Sequence, residues 1–230
     1  MKVYAIVVAA GQGKRMGSKV QKPYLEILGR PLLFYTLKNI TASPLINGVG
    51  LVVGNGMVDY SWQEIVKAYG LDGVVDIVEG GIERQDSVYC GLKTLPEDTD
   101  IVLIHDGARP FISSIVIEKT VAAAMEYGAA ITGVRVKDTI KMVDESYKVM
   151  QTLNRSMLWA VQTPQAFKAK LLRDCYDKAI NEEFYGTDDA SIVEWAGFEV
   201  RVVDGEDKNI KITTPFDLRM AEAMIRISEK

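Results

Sequence analysis

Tyr4-Ala5-Ile6-Val7-Val8-Ala9-Ala10 runs without a break into Gly11-Gln12-Gly13-Lys14-Arg15-Met16-Gly17, with Lys19 and Lys22 close behind. An apolar run of strand length that passes into small residues and then cations predicts a buried strand followed by an anion-binding loop. Ala9, Ala10, Gly11 and Gly13 let backbone N–H groups approach an anion, while Lys14, Arg15, Lys19 and Lys22 bring positive charge into one short segment. The spacing is not a dinucleotide fingerprint, because Lys14 and Met16 stand where G-x-G-x-x-G needs glycine, and it is not a Walker loop. A polyphosphate fits such a loop better than a neutral ligand. Taken alone, the stretch also reads as a glycine-rich surface turn with solvated lysines.

Further strand-length apolar runs recur at Val49 to Val53, Val74 to Val78, Ile101 to Ile104 and Ala129 to Val136. Between them, Leu32 to Ile40, Gln63 to Tyr69, Ser87 to Leu95 and Ile115 to Tyr127 carry helical periodicity. The alternation predicts an α/β fold, a mostly parallel twisted sheet with helices on both faces, since strands apolar on both sides need cover on both. Ligands in such sheets bind beyond the carboxyl ends of the strands. The basic loop lies at one such end, and His105-Asp106-Gly107-Ala108-Arg109-Pro110 lies at another. One segment breaks the pattern: residues 138–155 show period-two stretches around the polar turn Asp144-Glu145-Ser146, which predicts a β-hairpin arm leaving the sheet.

The 230 residues, 48% of them hydrophobic, suffice for a single domain over 1–230 with 138–155 as an excursion. A formal net charge of −4 gives no overall field for nucleic acid, which is not expected as a partner. Cys90 and Cys175 both fall in helical stretches, which predicts buried reduced thiols and a reducing compartment. No apolar run reaches the roughly 18 residues of a membrane span, so no membrane partner is expected and the cytoplasm is the expected location.

At the second strand end, Asp106 suits a ribose hydroxyl or Mg²⁺, held directly or through water, with a turn-capping role as the competing reading. His105, the only histidine, reads either as an acid–base candidate or as a structural residue at the strand end. Gly80-Gly81 exposes bare backbone at the end of the third strand, and Ser87 opens the helix that follows. Arg84 and Asp86 each read either as site residues or as a pairing and a capping residue.

Seven stretches in order carry a resemblance. They are the basic loop, Gly80-Gly81-Ile82-Glu83-Arg84-Gln85-Asp86-Ser87-Val88, His105 to Pro110, Val136-Lys137-Asp138-Thr139-Ile140-Lys141, Gln162-Thr163-Pro164-Gln165, Thr187-Asp188-Asp189-Ala190-Ser191 and Asn209-Ile210-Lys211-Ile212-Thr213. Together they resemble the motifs of the 2-C-methyl-D-erythritol 4-phosphate cytidylyltransferases, over nearly the whole chain. The resemblance implies a Rossmann-like nucleotidyltransferase fold and transfer of a cytidylyl group from CTP to the phosphate of a sugar alcohol, with release of pyrophosphate. It implies Ala9, Ala10, Gly11, Gly13, Arg15, Lys22, Gly81, Ser87, Asp106 and Gly107 for CTP, and Asp106, Arg109, Thr139, Arg155, Thr187, Asp188 and Lys211 for the sugar phosphate. It gives catalytic roles to Arg15, Lys22, Arg155 and Lys211, with Mg²⁺ held by Asp106 or by the CTP phosphates alone. It also implies a homodimer in which the arm carries Thr139 and Arg155 to the neighbouring site. Asp188 and Asp189 read equally as a helix cap.

Three positions depart from the family pattern. Gln21 and Pro23 flank Lys22 where Pro-Lys-Gln is common before the tyrosine, and Gly107 replaces the first alanine of His-Asp-Ala-Ala-Arg-Pro. The alternative reading is a ribitol-5-phosphate cytidylyltransferase. Its usual His-Asp-Ala-Val-Arg-Pro and Thr-Asp-Ala-Cys-Lys fit less well than the residues present. A catalytically idle nucleotide-binding module would not need the full set of cations.

Overall fold

The computed structural model of the chain describes residues 1–11 and 21–228. Its strands in chain order are β1 (Val3–Ala9), β2 (Glu26–Ile27), β3 (Arg30–Pro31), β4 (Ile46–Val53), β5 (Val74–Glu79), β6 (Ile101–Asp106), β7 (Ala129–Arg135), β8 (Lys141–Val143), β9 (Val149–Thr152), β10 (Trp159–Lys168) and β11 (Arg201–Asp204). The helices are α1 (Leu32–Thr41), α2 (Val58–Tyr60, continued by a π-helical stretch Ser61–Lys67), α3 (Arg84–Leu92), α4 (Ser114–Tyr127), α5 (Ala169–Asn181), α6 (Asp189–Trp195) and α7 (Pro215–Ser228).

Seven strands form one sheet in the order β11-β7-β10-β6-β1-β4-β5. β1 runs parallel to β4 and β6, β4 to β5, and β7 to β11, while β10 is antiparallel to both β6 and β7. The sheet is therefore mostly parallel, with β10 joining two parallel blocks. Side-chain alternation divides β1 between two cores. Val3, Ala5 and Val7 pack with Leu33, Leu37 and Ile40 of α1 and Val116, Ile117 and Val121 of α4, whereas Ile6 packs with Val88 of α3, Leu172 and Tyr176 of α5 and Val193 of α6. Each buried valine, leucine or isoleucine contributes about 1.5–3 kcal/mol, and the doubly covered strands are where this gain is densest. A third cluster, Ile27, Leu32, Ala108, Ile212, Ala221 and Ile225, clamps α7 onto the β2–β3 hairpin.

The expected strands are all present, some one to three residues longer than their apolar runs. The helix after Gly81 starts at Arg84 and not at Ser87, because Asp86 caps its first turn by accepting from the Glu83 N–H at 3.0 Å. The arm is present as β8 and β9, joined by a turn in which Asp144 Oδ1 accepts from the N–H groups of Ser146 and Lys148. Cys175 is buried, Cys90 is partly exposed, and both thiols are free. Among the described residues no helix is long and apolar enough to cross a membrane.

Candidate active site

β1, β5 and β6 end on the same edge of the sheet, and their carboxyl ends meet in a cleft of about 180 Å³. Ala9, Ala10 and Gly11 continue β1 into it. Gly81, Arg84 and Ser87 form one wall, Asp106 and Ala108 the floor, and Lys22 and Lys211 the cationic rim. Gly13, Lys14, Arg15 and Lys19 lie outside the described residues.

The glycine wall is fixed by close approach. A Cβ on Gly80 would sit 2.6 Å from Ala10 Cβ and from Ser87 Oγ, and one on Gly81 would sit 2.3 Å from Asp86 Cβ. The departures at Pro23 and Gly107 find a local reason. Lys22, Pro23 and Tyr24 form a 3-10 turn closed by Tyr24 N–H on Gln21 O and Leu25 N–H on Lys22 O, so the donor that Pro23 lacks is not required. An alanine at 107 would put its Cβ 3.1 Å from Ala9 Cβ and from Val8 O, a tight fit that glycine avoids.

Asp106 carries the electrostatics. Its Oδ1 lies 3.3 Å from Arg84 Nε, and its Oδ2 lies 2.7 Å from Lys211 Nζ and 3.7 Å from Arg109 Nε. Burial alone would raise its pKa, but Arg84, Lys211 and Arg109 hold it well below the usual carboxylate range. Burial likewise opposes charge on Arg84, and Asp189 and Asp106 more than offset it. Lys211 is placed by the segment before α7: Ile212 N–H donates to Ala108 O at 2.9 Å, and Asp217 accepts from Thr213 and Thr214 N–H.

His105 faces away from chemistry. Asp106 N–H donates to Thr163 Oγ1 at 3.0 Å, which leaves the Thr163 hydroxyl proton for His105 Nδ1 at 3.2 Å, and His105 Nε2–H then donates to Arg109 O at 3.0 Å. Burial pushes the ring's pKa down to about 4, so it is neutral at neutral pH.

Of the remaining expected residues, Arg109 belongs to the Asp106 cluster and the others are dispersed. Arg109 is buried and its Nη1 donates to Asn209 O at 2.8 Å. Asp188 caps α6, accepting from Ser191 N–H at 2.9 Å and from Gln165 Nε2 at 2.7 Å, as its competing reading had it. Thr187 lines a groove that adjoins the cleft at Arg84. Thr139 and Arg155 sit on the arm, away from the cleft lining of their own chain, with Arg155 Nη1 donating to Lys137 O. The sequence reading missed Gln85, whose amide grips Phe184 O and Gly186 N–H at 2.9 Å each, and Tyr176, whose hydroxyl donates to Asp189 at 2.5 Å.

A mostly parallel three-layer sheet with a glycine-walled, cation-rimmed cleft beyond its strand ends defines a nucleotidyltransferase-like α/β protein. The chain matches the model of the 2-C-methyl-D-erythritol 4-phosphate cytidylyltransferase family over residues 3–227 and belongs to that family. A relative of that name from Alkaliphilus metalliredigens is 48% identical over 224 residues, 97% of this chain and 93% of the relative. Another, from Geobacillus thermodenitrificans, is 48% identical over 231 residues and spans all of both chains. The crystal structure of 4-diphosphocytidyl-2C-methyl-D-erythritol synthase from Anaerococcus prevotii is similar at a TM-score of 0.87 and 37% identity, covering 98% of this chain and 96% of that one.

Proposed function

We propose that the protein transfers CMP from CTP to the phosphate of 2-C-methyl-D-erythritol 4-phosphate, giving 4-diphosphocytidyl-2-C-methyl-D-erythritol and pyrophosphate. The observation that carries this reading is the cleft lined by Lys22, Gly81, Ser87 and an ionised Asp106 that Lys211 holds at 2.7 Å.

A phosphate oxygen of the acceptor attacks the α-phosphorus of CTP, the bond to the β-phosphate oxygen breaks, and pyrophosphate leaves with the electron pair. The nucleophile is already ionised at neutral pH, so no side-chain base takes part, which agrees with the neutral, fully bonded His105. Catalysis then rests on positioning and on cations that meet developing charge, the roles assigned to Arg15 and Lys22 at the α-phosphate and to Lys211 and Arg155 at the acceptor phosphate. Gly81 and Ser87 present backbone and hydroxyl groups to the cytosine, between walls that the glycine contacts keep narrow.

No cluster of three metal-ligating side chains occurs among the described residues. Both Asp106 oxygens already face the cations Arg84, Lys211 and Arg109, so of the two readings the CTP phosphates are the better holders of Mg²⁺, which would neutralise phosphate charge when present. The arm supports a homodimer in which Thr139 and Arg155 complete the neighbouring site. The two free thiols support the cytoplasm as the location.

The test is pyrophosphate release with Mg²⁺ and each of the four nucleoside triphosphates, against methylerythritol phosphate and ribitol 5-phosphate. CTP with methylerythritol phosphate is the expected pair. Faster turnover of ribitol 5-phosphate, or of another triphosphate, overturns the reading.

A further inference from the structure

Arg84 stands at the first turn of α3 and holds two carboxylates at once. Its Nη2 lies 2.8 Å from Asp189 Oδ2, and its Nε lies 3.3 Å from Asp106 Oδ1. Asp189 is fully buried, and its other oxygen accepts the Tyr176 hydroxyl at 2.5 Å in the core between α5 and α6. The guanidinium is a rigid planar fork, so an anchor at Asp189 fixes where Nε points.

On the other side of Asp106 the arrangement is loose. Lys211, the most exposed of its three cations at 41%, takes Oδ2 at 2.7 Å. Arg109 Nε faces the same oxygen at 3.7 Å and has no hydrogen-bond partner among the described residues although Arg109 is buried. The proposed reaction needs Lys211 at the acceptor phosphate, yet here the lysine is spent on Asp106. A carboxylate only 10% exposed does not give up a cation unless another stays behind, because an uncompensated buried charge is strongly unfavourable.

We propose that Arg84 is a positioning residue for the acceptor phosphate: as the fixed counter-ion of Asp106 it lets Lys211 leave the carboxylate for the phosphate, while Arg109 Nε closes on the oxygen that Lys211 vacates. The identity of the acceptor rests on the cytidylyl-transfer reading. The exchange itself does not, since inorganic phosphate also draws Lys211 away from Asp106.

Inorganic phosphate is therefore the probe, with binding followed by calorimetry in four proteins: wild type, Arg84→Gln/Asp189→Asn, Lys211→Gln, and the triple variant. The paired substitution removes two opposite charges together, so that no buried carboxylate is left alone and the melting temperature stays near that of the wild type. Phosphate is expected to bind about tenfold more weakly to the paired variant and to Lys211→Gln, and no more weakly to the triple variant, because both changes remove the same interaction. Arg84→Lys guards against a folding failure. Its single ammonium serves the buried Asp189 and leaves Asp106 to Lys211, so it must show the same loss. In turnover the acceptor KM rises about tenfold while the CTP KM stays within about twofold, a split that a general loss of structure does not produce. Wild-type phosphate affinity in a folded Arg84 variant, or additive losses in the triple variant, overturns the proposal. A wild type without pyrophosphate release overturns the cytidylyl-transfer reading instead, and the phosphate measurements still decide the role of Arg84.

Discussion

His105 shows how a residue type that suggests catalysis is settled by its bonds. With both ring nitrogens engaged and no solvent contact, the ring is held neutral, its pKa down at about 4 against an ordinary 6.5. The unfolded chain takes up that proton near pH 6.5 and the folded one only near 4. The native ring therefore contributes stability above 6.5 that drains away as the pH falls toward 4, up to about 3 kcal/mol. Replacing it with glutamine removes this pH dependence. The melting temperature of the wild type should exceed that of His105→Gln at pH 7 by a margin that narrows steadily down to pH 4.5, as measured by calorimetry. A constant margin would show that the ring is already charged or solvated in the fold. Turnover of His105→Gln should remain within about tenfold of wild type, since an ionised phosphate needs no base, and a loss beyond a hundredfold in a folded variant would contradict the mechanism.

At the scale of elements, the β5–α3 connection couples a turn to a binding wall. A methyl group on Gly81 collides with Asp86 Cβ, and Asp86 is the third helical residue, whose carboxylate accepts from the N–H of the capping residue Glu83. Gly81→Ala should therefore cost about 1 kcal/mol through the cap, or roughly 2–4 °C in melting temperature for a chain of this size. It should also raise the CTP KM and leave the acceptor KM unchanged; the opposite split would move Gly81 to the acceptor side. The parallel strands β1, β4, β5, β6 and β7 were legible in the sequence because burial demands an apolar run, as at Ile101 to Ile104, whereas the parallel strand β11, mostly exposed, carries no such run and was not. β10 was not, because its middle residues are polar and buried: Gln162 donates to Glu206 O, Thr163 accepts from Asp106 N–H, and Gln165 binds both Asp188 and Ala190. Such a strand satisfies its interior by hydrogen bonds, which hydrophobic periodicity does not register. The site divides in the same way. Glycines, strand-end acids and rim lysines announce themselves locally, but the grip of Gln85 on Phe184 spans 99 positions and leaves no local pattern.

For the whole molecule the arm poses the main question. Met142, Val143, Val149 and Met150 are all exposed, an apolar surface that the single chain does not cover, and Arg155 lies apart from its own cleft. If arms are exchanged in a dimer, mixing Lys22→Ala with Arg155→Ala under subunit exchange gives heterodimers with one doubly defective and one intact site. Activity should then recover to about a quarter of wild-type sites by statistical pairing. Proven exchange without recovery would place Arg155 in its own chain's site. The topology adds something further. β7 and β10 are antiparallel neighbours, paired out to Arg135 and Trp159, and Val136 N–H still reaches Leu158 O at 3.2 Å, so both roots of the arm already lie side by side. The arm is the overgrown tip of a hairpin. Lengthening or trimming a tip shifts no strand register and changes closure entropy only slowly. Mutational drift can thus rework which subunits recognise one another while the sheet beneath, and the folding route that builds it, is inherited unchanged.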